Sequence, residues 1–207
     1  MITLFIDTSS SDVSIAILRD NKIISHITKN IPNKHSVYTV SFLEKMLKDA
    51  NLTPKDIEKI MVVTGPGSFT GLRIGVTIAK VYAYLENLEI TSISSLKMRA
   101  LSIDHAYCLS LIDAHHGNYY FGLYDQNNEE VIPEQFNTKE KVLELIRKYQ
   151  PVIVSDEDLE IDEYHGKKAL LNISNIVSYY QTKVTLNPHF VVPNYLKLPQ
   201  ALEEKHD

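Results

Sequence analysis

The 207-residue chain has a single cysteine, Cys108. That scarcity excludes an internal disulfide framework and a multi-cysteine zinc site, and it suits a reducing compartment, so the cytoplasm is the expected location. Glycine and proline are also few, seven and eight residues, which excludes a collagen-like or low-complexity chain. There is no basic excess: 21 Lys and Arg stand against 26 Asp and Glu, a formal charge of −5. The overall field therefore holds no nucleic acid, and any basic patch must be local. No apolar run reaches the roughly 18 residues of a spanning helix, the longer ones being broken at Thr77 or Ser110. Met1 to Ile6 lacks a basic flank and stops at Asp7, so no export signal is expected and a soluble protein without membrane contact is. What is present is ordinary globular material, 44% hydrophobic and 23% charged, enough for one large domain or two lobes of about 100 residues each.

Ile2 to Ile6 is a nearly continuous apolar run, the mark of a strand buried on both faces. After the polar turn Asp7–Asp12, Val13, Ile15 and Ile17 alternate with Ser14 and Ala16 as a second strand. Asp20-Asn21 then turns the chain into a third, Ile23 to Thr28. From Ser36 to Ala50 the period becomes helical, with one stripe of Val40, Leu43, Leu47 and Ala50 and another of Tyr38, Phe42 and Met46. Thr53-Pro54 predicts a short helix, and Ile60 to Val63 a buried parallel strand. Gly71 to Leu85 reads as a helix whose small residues Gly71, Gly75, Ala79 and Ala83 form an i, i+4 row open to close backbone approach. Its other faces carry Leu72, Ile74, Val76, Ile78 and Val81, which predicts burial between two layers. Ile90 to Ile93 follows as a strand and Ser95 to Ser102 as a helix.

The second half repeats this grammar. Strands 107–112 and 119–124 flank a turn at His115-His116-Gly117-Asn118, a polar turn follows at 125–128, and helix 138–149 leads to strand 152–155. Asp20 follows Asp7 by 13 residues and Asp125 follows Asp113 by 12. This spacing predicts an internal duplication of a βββαβα unit: an α/β protein with two lobes, 1–104 and 105–207, mixed sheets and a cleft between them.

Two readings stand open for Gly65-Pro66-Gly67-Ser68-Phe69-Thr70-Gly71. Unpaired helix N–H groups would attract an anion, or Ser68 or Thr70 simply caps the helix. Leu72-Arg73 follows where a Walker A loop needs Lys-Ser/Thr. Arg73 would meet an anion or a neighbouring carboxylate. The Asp7–Asp12 turn would present a carboxylate and N–H groups to a Mg²⁺-bound phosphate, or form an Asx turn. Asp7, Thr8, Ser9, Gly65, Gly67, Ser68, Thr70 and Arg73 are thus the candidates for a nucleotide or phosphate site. The histidines are isolated or, at 115 and 116, adjacent, and give no metal signature. No Gly-x-Ser-x-Gly elbow or other nucleophile context supplies a catalytic residue. The acidic run Asp156–Glu163 reads as a solvated loop.

The segments IDTSS at 6–10, His35-Ser36, TGPGSFTGLRIG at 64–75 with Ala79-Lys80, LIDAHHGNYY at 111–120 and PNYLK at 193–197 resemble, in order and across nearly the whole chain, the TsaB (YeaZ-like) family. That family is the partner subunit of the bacterial system making threonylcarbamoyladenosine in tRNA. The resemblance implies a two-lobed fold of the actin-like ATPase (ribonuclease H-like) superfamily. Its catalytic relative TsaD carries two metal-binding histidines where Ser95 and Arg99 stand here; neither replaces a neutral imidazole, so a supporting role is implied rather than catalysis. Family members commonly read Arg and Glu where His115 and Asn118 stand here.

The resemblance further implies that helices 36–50 and 71–85 dock on TsaD, with homodimer formation through the same surface when TsaD is absent. Val40, Leu43 and Leu47 would then face the sheet. Tyr38, Phe42, Met46, Gly75, Ala79 and Ala83 would serve the partner interface. TsaE, an ATPase, would join the complex, tRNA would be met indirectly, and ATP with Mg²⁺ would enter at the level of the complex, none being required by the isolated chain. The alternatives are an ATPase or kinase-like transferase using Asp7, Thr8, Ser9 and the 65–71 loop, and, further off, a peptidase.

Overall fold

The computed structural model describes residues 1–32 and 34–197. The first lobe opens with an antiparallel meander, β1 (Ile2–Asp7), β2 (Asp12–Arg19) and β3 (Lys22–Asn30). β1 is buried along its whole length, as its unbroken apolar run predicts. Arg19 pairs with Lys22 across Asp20-Asn21, whose φ values of 50° and 64° lie in the left-handed region that Asp and Asn tolerate. α1 (His35–Asp49), a 3₁₀ turn at Pro54–Asp56, β4 (Lys59–Gly65), α2 (Phe69–Glu86) and β5 (Ile90–Ser94) follow. β4 and β5 add in parallel, giving the order β3-β2-β1-β4-β5.

α1 and α2 cover one face of this sheet, where Leu43, Met46, Leu47, Val76, Ala79 and Ala83 meet Leu4, Ile6, Ile15 and Val62. The other face packs on α3 (Ser95–Ala100) through Met98 and Leu101. α3 also faces the second sheet, where Ala100 joins Cys108, Tyr124 and Val154. It is the wedge between the lobes, and burial pushes the Cys108 thiol up to about 12, leaving it inert.

The second lobe repeats the opening: β6 (Tyr107–Asp113), β7 (Asn118–Asp125) and β8 (Glu130–Thr138), then α4 (Lys139–Tyr149) and β9 (Val152–Ser155) parallel to β6. The architecture is thus a two-lobed α/β fold built on two mixed sheets, as the repeated pattern predicts. After β9 the copies diverge. The acidic run expected as a loop contains β10 (Leu159–Ile161), which turns at Asp162, φ 52°, into β11 (Tyr164–Lys168). Ile161 is buried there, an apolar anchor in a charged segment. Then α5 (Ile173–Tyr180) leaves the second sheet and lays Ile173, Ile176, Val177 and Tyr180 on the first. The chain stays there: Leu186 bridges to Ile90, and the Asn194 N–H donates to the Thr64 carbonyl at 2.7 Å. Residues expected in the second lobe therefore complete the first. The charged tail after Pro199 lies outside the described residues. Among the described residues no helix is long and apolar enough to cross a membrane.

Two helix expectations need correction. α2 is not sandwiched: Val81, Tyr84 and Leu85 are 54%, 69% and 72% exposed. In α1 the buried stripe is His35, Thr39, Leu43, Met46 and Leu47. Val40 therefore turns outward and Met46 inward. Thr39, small enough to sit under the helix with its hydroxyl on the His35 carbonyl, centres the inner face and displaces Val40 from it.

Candidate functional site

The β1–β2 turn and the glycine-rich loop meet at the start of α2. The Asp7 carboxylate accepts from the Ser9 N–H at 2.8 Å, the Asx-turn alternative. The Ser68 N–H donates to the Ser9 carbonyl at 2.8 Å, and Ser68 Oγ caps the helix by accepting from the Gly71 N–H at 3.2 Å. Thr8 Oγ1 donates to the Gly71 carbonyl at 2.7 Å. The glycines are explained by this docking: a Cβ on Gly71 would stand 2.0 Å from the Thr8 carbonyl oxygen and one on Gly75 2.3 Å from Thr8 Oγ1. His35, at the start of α1, places Nε2 2.9 Å from the Ser10 carbonyl and holds the turn from the other side.

The candidate phosphate residues therefore do not form one set. Ser9, Gly67, Ser68 and Thr70 line a cleft of about 620 Å³ that reaches Asp113 and His115 of the second lobe. Asp7 lines a smaller cavity of about 300 Å³ with Asp12, Arg99 and Lys168. Thr8 is consumed in packing, and Gly65 lies under the Asn194 carbonyl. Arg73 points outward, its guanidinium 3.7 Å over the Phe69 ring and its Nε donating to the Tyr195 hydroxyl at 3.0 Å. That makes Tyr195, in the 193–197 segment, an unforeseen neighbour of α2. Of the two departures, His115 repeats in the second lobe the Asx turn of the first, its N–H donating to Asp113 at 2.7 Å with the imidazole exposed. Asn118 donates to the His116 carbonyl at 3.2 Å.

Charge in the smaller cavity is finely placed. Burial pushes the Asp7 carboxyl above the usual aspartate range, against the pull of the Ser9 N–H and the Arg99 charge. Burial acts the same way on Asp12, but hydrogen bonds from Lys168 at 2.6 Å and Asn30 at 2.8 Å bring it below that range. Ser95 Oγ donates to the Pro66 carbonyl and Arg99 to the Ser95 carbonyl, so this pair braces the loop. Among the described residues no three His, Cys, Asp or Glu side chains converge as a metal would require.

The outward surfaces of α1 and α2 form the second candidate. Val37, Tyr38 and Val40 on α1 are exposed, as are Phe69, Val81, Tyr84 and Leu85 on α2. Tyr38 stacks on Phe42 at 5.8 Å, but Phe42 is partly buried against the first core. Met46, Gly75, Ala79 and Ala83, expected at the interface, are buried inside this chain and offer a partner no surface. The signal for the true outer residues was the all-round apolarity of α2. A helix covered on one side only needs apolar residues on one side only.

A family model described as TsaD, tRNA N6-adenosine threonylcarbamoyltransferase, matches residues 22–202. The chain is 33% identical over 220 residues to the tRNA threonylcarbamoyladenosine biosynthesis protein TsaB of Bacillus subtilis, across 97% of this chain and 96% of that protein. It is 32% identical over 131 residues to the TsaB protein of Buchnera aphidicola subsp. Schizaphis graminum, across 61% of this chain and 62% of that protein. The structure of YeaZ from Pseudomonas aeruginosa superposes with a TM-score of 0.76 over 94% of this chain and 99% of that one, at 18% identity, a likeness of fold. With the family model spanning most of the chain and the Bacillus protein matching from end to end, the chain belongs to the TsaB family, within the TsaD-related group.

Proposed function

We propose that the chain is the non-catalytic partner subunit of the complex that forms threonylcarbamoyladenosine in tRNA. It pairs with TsaD through the outer faces of α1 and α2, works with TsaE in the cytoplasm, and self-associates through the same faces when TsaD is absent. The observation that carries this reading is the outward apolar set Val37, Val40, Val81, Tyr84 and Leu85 on two adjacent helices. Apolar area of this kind gains free energy when another surface removes it from water. ATP and Mg²⁺ act at the level of the complex, and tRNA is met through it. The turn and loop that would cradle a phosphate in this chain spend the Ser9, Ser68 and Gly71 N–H groups and the Thr8 hydroxyl on internal partners, which supports assigning nucleotide chemistry elsewhere, although the buried Ser9 hydroxyl has no hydrogen-bond partner among the described residues.

Val40→Glu combined with Leu85→Glu tests the reading, because both side chains project into solvent and their replacement leaves the cores intact. The expected result is loss of co-elution with TsaD at an unchanged circular dichroism spectrum, together with loss of tRNA modification in a reconstituted system. Retained co-elution, or full modification with the chain omitted, would refute it.

A further inference from the structure

Asp7 and Arg99 are 4% and 3% exposed and line the same cavity of about 300 Å³. They attract each other electrostatically, yet no ion pair joins them: their N···O separation exceeds 4.0 Å. Among the described residues Asp7 accepts one hydrogen bond, from Ser9, and Arg99 donates one, to Ser95. A carboxylate accepts about four and a guanidinium donates five. Both groups therefore keep unused hydrogen-bonding capacity beside the cavity they line. The cavity between them is roomy enough for a small molecule.

The rest of the wall narrows the chemistry. Asp12 and Lys168 are paired with each other at 2.6 Å and need nothing from a ligand. Asp156 adds a further carboxylate, so three acids face two fixed cations and a net anion such as phosphate is disfavoured. Met98, Leu170 and Leu171 supply an apolar section.

We propose that this cavity binds a small zwitterion, an α-amino acid with a short apolar side chain, its ammonium on Asp7 and its carboxylate on the Arg99 fork. Planar guanidinium suits a carboxylate with two parallel hydrogen bonds, and the ammonium answers a buried acid directly. The site is independent of the α1–α2 surface, so it stands or falls apart from the partner-subunit reading.

Calorimetric titration of the full chain with L-alanine and L-valine tests it, with N-acetyl-L-valine and L-valinamide as analogues lacking one charge each. Expected are saturable binding of the free amino acids below about 10 mM and at least about tenfold weaker binding of both analogues. Asp7→Asn, nearly isosteric, is expected to keep the unliganded melting temperature or raise it, and to lose binding at least tenfold. Arg99→Lys, which keeps the charge but not the fork, should weaken it by a similar factor. No binding by either amino acid, equal binding of the blocked analogues, or unaltered binding by a folded Asp7→Asn protein would each overturn the proposal and leave the cavity to water.

Discussion

Glu134 shows how one residue couples charge to the joint between the lobes. On β8 of the second sheet, it accepts from Ser94 Oγ at the start of α3 and from the Tyr124 hydroxyl at 2.7 Å. Burial nevertheless pushes its carboxyl above the usual glutamate range, the two hydrogen bonds and the nearby Lys97 opposing it. The folded chain thus holds this proton more tightly than the unfolded chain does. Its contribution to stability is fully present below the unfolded value of about 4.5 and is lost as pH rises through the higher folded value. Glu134→Gln keeps an acceptor and removes the titration. Denaturant unfolding at a series of pH values should therefore give a variant whose stability relative to the wild type improves as pH rises from 4.5 and then levels off. A constant difference across that range would show that folding does not shift the Glu134 carboxyl.

At the scale of elements, α1 displays two kinds of apolar residue that look alike in sequence. Leu43 is buried against the first sheet while Val40, three positions earlier, is 55% exposed. Leu43→Ala should cost about 2–5 kcal/mol and Val40→Ala no more than about 0.5 kcal/mol, measured by urea unfolding of the isolated chain. If the two costs are similar, the helix is rotated from the position described. The helix itself was legible in the apolar periodicity of 36–50, and the 3₁₀ turn in Thr53-Pro54. Which stripe faced inward was not, because both are apolar and the choice fell to Thr39, a polar residue that fits against the sheet. Likewise the small-residue row of α2 told of close approach but not of its object. Gly71 and Gly75 make room for Thr8 of this same chain, not for a partner.

For the whole molecule, the return of α5 to the first sheet has a direct consequence. Ile173, Ile176, Val177 and Tyr180 pack with Phe5, Leu18, Met61 and Val63, so residues 1–104 keep α3 on that face of their core but lack the rest of its cover. A fragment of 1–104 should expose that face, bind an apolar dye and lose near-ultraviolet dichroism, whereas the full chain should do neither. A well-folded, soluble fragment would show that α5 is an accessory.

Meanders, helices, the duplicated grammar and the glycine-rich turn were all written in adjacent residues, since alternation, helical period and turn preference are local properties of the chain. The sequence left two readings open at 65–71, and only the tertiary structure showed the Ser68 cap on Gly71 and the docking of the Thr8 hydroxyl on the Gly71 carbonyl. Tertiary structure alone also set α5 on the first sheet, turned Val81, Tyr84 and Leu85 outward, and brought Asp7 and Arg99 to one cavity. The reason is physical: burial and charge proximity depend on how surfaces distant in sequence are brought together, and no local pattern encodes that distance.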